Sequence, residues 1–197
     1  MTGRGIALAS RVAAAPLAEL YMHAIETAGA LDAIIPPTLI SWKARDAAML
    51  RAFSCRHAFS ARETLIARFS WAIPTSEASL AIAALSPILE VGAGTGYWAA
   101  CLRQAGATVE ATDLEPQAES WCPVREADAG EAAADPRYAG HALFLCWPPY
   151  EDDMAERALA AYQGDRVAYI GESMGGCVAT DPFFELLEAQ WRETASI

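Results

Sequence analysis

Residues 87–102 read P-I-L-E-V-G-A-G-T-G-Y-W-A-A-C-L, and this stretch decides the fold class of the 197-residue chain. A short apolar run at 88–91 precedes glycines at alternate positions, Gly92, Gly94 and Gly96, and residues that can continue as a helix follow. Glycine lets a ligand approach the backbone closely and adopts positive φ without steric cost. The stretch therefore predicts a strand, a tight turn that binds a ligand, and a helix.

Two acidic residues narrow the class of ligand. Dinucleotide sites use the spacing G-x-G-x-x-G, whereas this turn has G-x-G-x-G and Glu90 beside it. A carboxylate there repels a pyrophosphate but suits an ammonium group. The second predicted strand, 107–112, is followed by Asp113, where a carboxylate can accept hydrogen bonds from both hydroxyls of a ribose. The lysine of a P-loop is missing, which disfavours nucleoside triphosphates.

The segments E-V-G-A-G-T-G-Y-W-A (90–99) and A-T-D-L (111–114) resemble the first two motifs of class I S-adenosylmethionine-dependent methyltransferases. The likeness extends over about residues 69–191. It implies S-adenosyl-L-methionine as cofactor and a set of contacts: Glu90, Gly92, Gly94 and Gly96 with its methionine part, Asp113 with the ribose, Leu114 with the adenine face, and Asp128 with the adenine amino group. The alternative is an ordinary strand-to-helix turn, which leaves the agreement between the turn, Glu90 and Asp113 unexplained.

Two further residues are assigned to the cofactor side of the site. Tyr97 follows the glycine turn, and it either touches the cofactor or packs the helix onto the sheet; for its neighbour Trp98, packing is favoured. Cys146 ends the near-continuously apolar strand predicted at 141–147.

The candidate acceptor residues follow the fourth and fifth predicted strands. C-W-P-P-Y (146–150) resembles the fourth motif of amino-methylating members of the family, in which Asn, Asp or Ser precedes Pro-Pro-Tyr. Here Trp147 takes that position, and indole can only donate a hydrogen bond, which argues against amino-group methylation. Tyr150 can form a pocket wall, or the Pro-Pro turn is purely structural. Glu172 can orient or deprotonate an acceptor, or it is a solvated loop residue.

Strands and helices alternate after residue 75, which predicts a doubly wound, mostly parallel α/β sheet of the Rossmann-like methyltransferase type. Residues 1–74 are predicted to form a helical region on the substrate side, and 75–197 the cofactor-binding domain. The family normally closes with an antiparallel hairpin after the last helix, but only 192–197 remain here. An uncovered sheet edge favours self-association, so a homo-oligomer is possible.

Composition excludes several function classes. With 14 basic and 25 acidic residues the formal net charge is −11, which disfavours nucleic acid as a partner. The five dispersed cysteines form no C-x-x-C pair, so we expect neither a zinc site nor disulfides, and free thiols fit the reducing cytoplasm. No signal peptide or membrane helix is predicted.

These features predict a cytoplasmic methyltransferase that acts on a small molecule. Two alternatives remain: a non-catalytic, methyltransferase-like interaction module, which the missing hairpin favours, and an N-methyltransferase of protein or nucleic acid, which rests on the Pro-Pro-Tyr likeness.

Overall fold

A computed structural model describes residues 63–197. The helix predicted at 10–31 lies outside this range, and of the helical segment predicted at 46–69 only the end is described, where residues 63–68 are helical. The described residues form an α/β fold of the Rossmann-like class. Its strands are β1 (Ile88–Val91), β2 (Val109–Asp113), β3 (Arg125–Glu126), β4 (Ala142–Cys146) and β5 (Val167–Ile170). Its α-helices are α1 (Ser76–Ala83), α2 (Tyr97–Gln104), α3 (Ala129–Ala134), α4 (Met154–Ala161) and α5 (Asp181–Gln190).

The five strands form one parallel sheet in the order β3-β2-β1-β4-β5. β1 is central: Leu89 pairs with Glu110 on one side and with Leu143 on the other. All four residues of β1 are buried, as are the first four of β4. This burial on both faces explains why the two strands appear in the sequence as continuous apolar runs rather than as alternating patterns.

Two hydrophobic clusters lie on opposite faces of the sheet. On one face, Ile88 and Phe144 pack with Trp98 and Leu102 of α2. On the other, Leu89 and Leu143 pack with residues of α3, α4 and α5. Alternate residues of β1 therefore enter different clusters, as the two-residue period of a strand requires. Glu90 has the parity of Ile88, and this places its side chain on the α2 face.

The predicted order of elements is confirmed, and the bounds differ by a few residues. The sequence predicts a short helix or a loop at 114–121 and a helix at 151–162; the first passage is a loop, and 151–153 form a turn before α4. Asp181 followed by Pro182 predicts an N-cap at Asp181, but Thr180 caps α5: its side-chain oxygen accepts from the N–H of Phe183, and Asp181 is already helical. Thr75 caps α1 by accepting from the N–H of Ala78 at 3.1 Å. The cap of α5 was misplaced because Thr and Asp are both good N-cap residues.

No strand follows α5 in the described part of the chain, and residues 191–197 have no regular structure. Within 63–197, β5 is thus an edge strand, as predicted. From the sequence, Trp71 is expected either to shape a substrate pocket or to pack against the sheet edge. The residue is 53% exposed, and its role stays a prediction, as does the boundary at residue 74. Among the described helices, none has the length and apolarity that a membrane crossing requires.

The glycine loop, residues 92–96, joins β1 to α2, and all three of its glycines have positive φ: 67° at Gly92, 53° at Gly94 and 72° at Gly96. A Cβ on Gly96 would lie 2.9 Å from Cγ2 of Val124 and 3.1 Å from Sγ of Cys122, whereas a Cβ on Gly94 would meet no atom within 4 Å. The loop therefore requires left-handed backbone at its three glycines, but it is sterically crowded at Gly96 and open at Gly94.

This contrast yields a matched pair of substitutions. Gly94→Ala adds only backbone strain and should lower the free energy of unfolding by about 1–2 kcal/mol. Gly96→Ala adds the same strain and a clash with Val124 and Cys122, for a total of about 2–5 kcal/mol. Urea unfolding of both variants measures the difference, and equal losses would contradict the crowding at Gly96.

Candidate functional site

The candidate site lies at the carboxyl ends of the strands. The chain leaves β1 toward β2 on one side of the sheet, and the later strands β4 and β5 lie on the other side. Loops that follow β1 and β4 therefore diverge above the middle of the sheet, where open α/β folds bind ligands. The glycine loop occupies this position.

Hydrogen bonds attach the glycine loop to the end of β2. The N–H of Ala93 donates to the carbonyl oxygen of Thr112 at 2.9 Å, and the N–H of Gly94 donates to Oδ2 of Asp113 at 2.8 Å. Within the loop, the N–H of Gly96 donates to the carbonyl oxygen of Ala93 at 2.8 Å. The loop and Asp113, 19 residues apart in sequence, form one unit.

Asp113 retains capacity for a ligand. Its Oδ1 accepts from the N–H of Glu115 at 2.9 Å, and its Oδ2 accepts from Gly94. The side chain is half-buried rather than sealed. A carboxylate offers about four acceptor positions, so these two bonds leave about two for the donors of a ligand.

Glu90 is buried beneath the glycine loop, with 2% of the residue exposed. The backbone N–H of Ala99, in the first turn of α2, hydrogen-bonds to its carboxyl group, while Oε2 has no hydrogen-bond partner among residues 63–197. Burial raises the pKa of Glu90 to about 8, and the guanidinium of Arg103 opposes that rise. A carboxyl group in this environment is mostly neutral at pH 7, because an unpaired buried charge is costly.

Met154 connects the glycine loop to the loop after β4. A Cβ on Gly92 would lie 2.7 Å from its terminal methyl carbon, so the half-buried Met154 side chain rests against the Gly92 backbone. The sequence did not point to Met154, because a methionine at the start of a helix has no distinctive spacing.

The loops that follow β4 and β5 are connected by hydrogen bonds and contain residues with unusual backbone conformations. Residues 147–151 and 171–180 contain the three positive-φ residues other than glycine found in the described residues: Trp147 (51°), Glu151 (56°) and Ala179 (51°). The N–H of Ala179 donates to the carbonyl oxygen of Pro148, and the N–H of Glu151 donates to the carbonyl oxygen of Ala179, each at 3.2 Å. Strain of this kind concentrates at functional sites.

The three candidate acceptor residues have different environments. Tyr150 is 57% exposed, as a pocket wall requires. Trp147 packs against both hydrophobic clusters, so its indole also has a structural role. Oε2 of Glu172 accepts from the N–H of Cys177 at 2.6 Å, which ties this carboxylate into its own loop. The structure brings these residues to one edge, and their contact with an acceptor stays a prediction.

Of the remaining residues predicted to contact the cofactor, one is exposed and two are packed against other parts of the protein. Leu114 is 64% exposed directly after β2, and its contact with adenine stays a prediction. Tyr97 is fully buried and contacts the rings of Phe69 and Trp121 edge-on, with centroids 5.0 Å away in both cases. Cys146 is half-buried, and burial raises the pKa of its thiol well above the usual value. The side chain of Tyr97 thus packs the helix, and a cofactor contact from it stays a prediction.

Asp128 is the N-cap of α3. Its Oδ1 accepts from the N–H groups of Gly130 and Glu131 at 2.9 and 3.1 Å, and its Oδ2 lies 2.9 Å from a guanidinium nitrogen of Arg157. The hydrogen bond from Arg157 lowers the pKa of Asp128. An adenine amino group would have to share this carboxylate with the cap and with the ion pair.

Thr95, which was not predicted as a site residue from the sequence, holds the glycine loop in place through two hydrogen bonds to neighbouring segments. Its hydroxyl donates to the carbonyl oxygen of Phe69, and its own carbonyl oxygen accepts from the N–H of Trp121 at 2.9 Å. The threonine within the glycine pattern was the available signal, since a polar side chain beside two glycines must find a partner once buried.

In residues 63–197, no three His, Cys, Asp or Glu side chains are arranged to hold a metal ion. A groove of about 750 Å³ lies between residues 64–68 and 117–121, beside Trp121, whose backbone N–H donates to Thr95 of the glycine loop. Comparisons of the chain with protein-family models, with curated proteins and with solved structures found no match.

Glu90→Gln tests the neutral carboxyl group. Because the pKa of Glu90 is about 8 in the folded chain and near 4.5 in the unfolded one, the folded state binds more protons between these values. Stability is therefore lost as the pH rises from 4.5 through 8. The amide cannot ionise, so we expect the variant to gain stability over the parent by a few kcal/mol at pH 8.5 and by almost nothing at pH 4.5. Urea unfolding of the parent and the variant at both pH values measures this difference in stability. A difference that does not depend on pH would contradict the raised pKa of Glu90.

Asp128→Ala and Asp153→Ala compare a cap with a surface ion pair, since both carboxylates bind Arg157. Loss of the cap should cost about 1–2 kcal/mol, whereas Asp153→Ala should cost less than about 0.5 kcal/mol. Thermal unfolding measures both, and equal losses would show that the Asp128 cap adds little to stability.

Proposed function

We propose that the chain is a class I S-adenosylmethionine-dependent methyltransferase that acts on a small molecule. The observation that carries the proposal is the hydrogen bond between the N–H of Gly94 and Asp113, which joins a half-buried glycine backbone to an acid at the end of the adjacent strand. Space is open above Gly94, so a ligand can lie directly on the backbone there. The acid beside it retains acceptor positions for a pair of hydroxyls.

Glu90 supports the cationic part of this ligand. Its Oε2 is buried without a hydrogen-bond partner in the described structure, and its carboxyl group lies next to the first turn of α2 below the loop. Buried polar atoms are normally paired, and an exception calls for an explanation. A ligand ammonium on the glycine loop supplies one: it stabilises the ionised carboxylate electrostatically, although Oε2 itself is sealed from solvent.

S-adenosylmethionine supplies an electrophilic methyl group, which an acceptor nucleophile attacks in line with the breaking carbon–sulfur bond. The protein has to hold the acceptor about 3 Å from that carbon and exclude water. Asp113 and the glycine loop fix the cofactor from one side. The joined loops 147–151 and 171–180 form the facing wall, and Tyr150 contributes an exposed aromatic ring to it.

The negative charge of the loops at the carboxyl ends of the strands favours a neutral or cationic acceptor. The segments 113–124, 147–153 and 171–180 contain seven acidic residues and no lysine or arginine. Leu114, Tyr150 and Met174 add exposed apolar surface in the same loops. An anionic acceptor such as a phosphorylated polymer would be repelled, which disfavours nucleic acid.

A non-catalytic ligand-binding module is the second candidate. The bond from Cys177 to Glu172 favours it, because the one carboxylate proposed as catalytic base is already engaged. The same cofactor site serves both candidates, and only turnover distinguishes them. Methylation of protein remains a weaker proposal, since Trp147 lacks the hydrogen-bond acceptor that the amino-methylating motif supplies.

Isothermal titration with S-adenosylhomocysteine tests the cofactor site. We expect binding in the micromolar range for the parent chain and at least tenfold weaker binding for Asp113→Asn, whose amide still accepts from Gly94 but binds hydroxyl donors less strongly. Glu115→Gln, an exposed neighbour, is the control and should bind like the parent. Absence of binding at millimolar ligand would refute the proposal.

Turnover is tested by incubating the chain with methyl-labelled S-adenosylmethionine and pools of small amines, phenols and carboxylic acids. The methyltransferase should label a neutral or cationic acceptor, and Tyr150→Ala should lower kcat/KM without loss of cofactor affinity. Cofactor binding without any labelled product would favour the non-catalytic module.

A further inference from the structure

We propose that occupation of the glycine loop by a cationic ligand is coupled to the release of one proton from Glu90. The inference rests on the proposed function, because it takes the ligand to be an amino acid derivative with an ammonium group. It goes further by assigning Glu90 a neutral state before binding and an ionised state afterwards.

The geometry around Glu90 requires a neutral group when no cation is near. The side chain is enclosed on the α2 face of the central strand, between β2 and β4. In the part of the chain that the structure describes, one N–H, from Ala99, stabilises the carboxyl group, and Oε2 is unpaired. An ionised carboxylate with so few partners in a buried site takes up a proton instead of remaining charged.

The titratable and charged groups around Glu90 come from each packed element. Arg103 of α2 is the cation, but its guanidinium donates to the carbonyl oxygen of Val109 at 2.7 Å and offsets the burial of Glu90 only in part. Asp113 at the end of β2 is an anion and opposes ionisation. Three thiols complete the surroundings: Cys101 of α2, Cys122 of the β2–β3 connection and Cys146 of β4.

The three thiols cannot take over the role of Glu90. Burial raises the pKa of each of them above its ordinary value, so they stay protonated and uncharged near neutral pH. Glu90, with a pKa of about 8, is therefore the group in this cluster that loses a proton when a positive charge arrives. Direct contact is not required, because an opposite charge within about 4–6 Å lowers a carboxyl pKa.

The proton balance is simple. Before binding, the Glu90 carboxyl group is protonated and the ligand carries its ammonium. After binding, the positive charge of the ligand ammonium stabilises the ionised Glu90 carboxylate, and the proton of Glu90 passes to solvent. No covalent bond of the ligand changes. Affinity therefore rises with pH, by up to about tenfold per unit below the pKa of Glu90, as long as the ligand amine stays protonated.

Calorimetric titration of the chain with S-adenosylhomocysteine, repeated in phosphate and in Tris buffer at one pH, gives the number of protons released. At pH 7 we expect close to one proton for the parent chain, and an affinity that increases at least fivefold from pH 6 to pH 7. Glu90→Gln should release none and bind equally at both values. Glu110→Gln, which removes an exposed acid from the adjacent strand, should behave like the parent.

Binding to the parent chain without proton release, or a Glu90→Gln variant that keeps the pH dependence, would overturn the coupling and leave the proposed function intact. No binding at pH 8 and millimolar ligand would refute the proposed function and the coupling with it. Since the proton count is measured on the unaltered chain, the result does not depend on whether the variant folds.

Discussion

The hydrogen bond from the N–H of Gly94 to Asp113 is the contact on which the candidate site depends. It requires a left-handed backbone at Gly94 and a strand end that brings the carboxylate to the same height as the loop. The parallel pairing of β1 with β2 supplies the second condition, because Val91 lies opposite Thr112. The remaining loop geometry follows from this pairing: Ala93 continues the ladder to Thr112, and the loop then turns at Gly96 into α2.

Much of this arrangement could be predicted from the sequence because each signal is local. Buried parallel strands appear as apolar runs, and the glycines mark the turn. The ligand edge follows from the direction of the strands. The sequence could not show which carboxylates already have partners. Asp128 and Glu172 both follow strands, yet the first is occupied by a helix cap and Arg157, and the second by the N–H of Cys177. These partners lie 2 to 29 positions away, and only the helix cap has a regular spacing.

For Glu90, the sequence could not show how deeply the carboxyl group is buried. Its position beside the glycines predicted a charged contact, but the degree of burial depends on Ile88, Phe144 and Trp98 closing the α2 face of the sheet. A carboxyl group in the same sequence motif can be neutral or ionised, because its protonation state depends on the packing around it. The same holds for Tyr97, where a helix start was predictable but the stacked ring of Trp121 on Phe69 was not.

The attachment of the glycine loop to the segment before α1 has a mechanical consequence. Thr95 is bound to the backbone of Phe69, and the indole of Trp98 donates to the carbonyl oxygen of Ala72 at 3.1 Å. The glycine loop and the start of α2 are therefore bonded directly to residues 69–72. A displacement of residues 69–72 would act on Thr95 and Trp98 through these two bonds, without involving the strand pairing of the sheet.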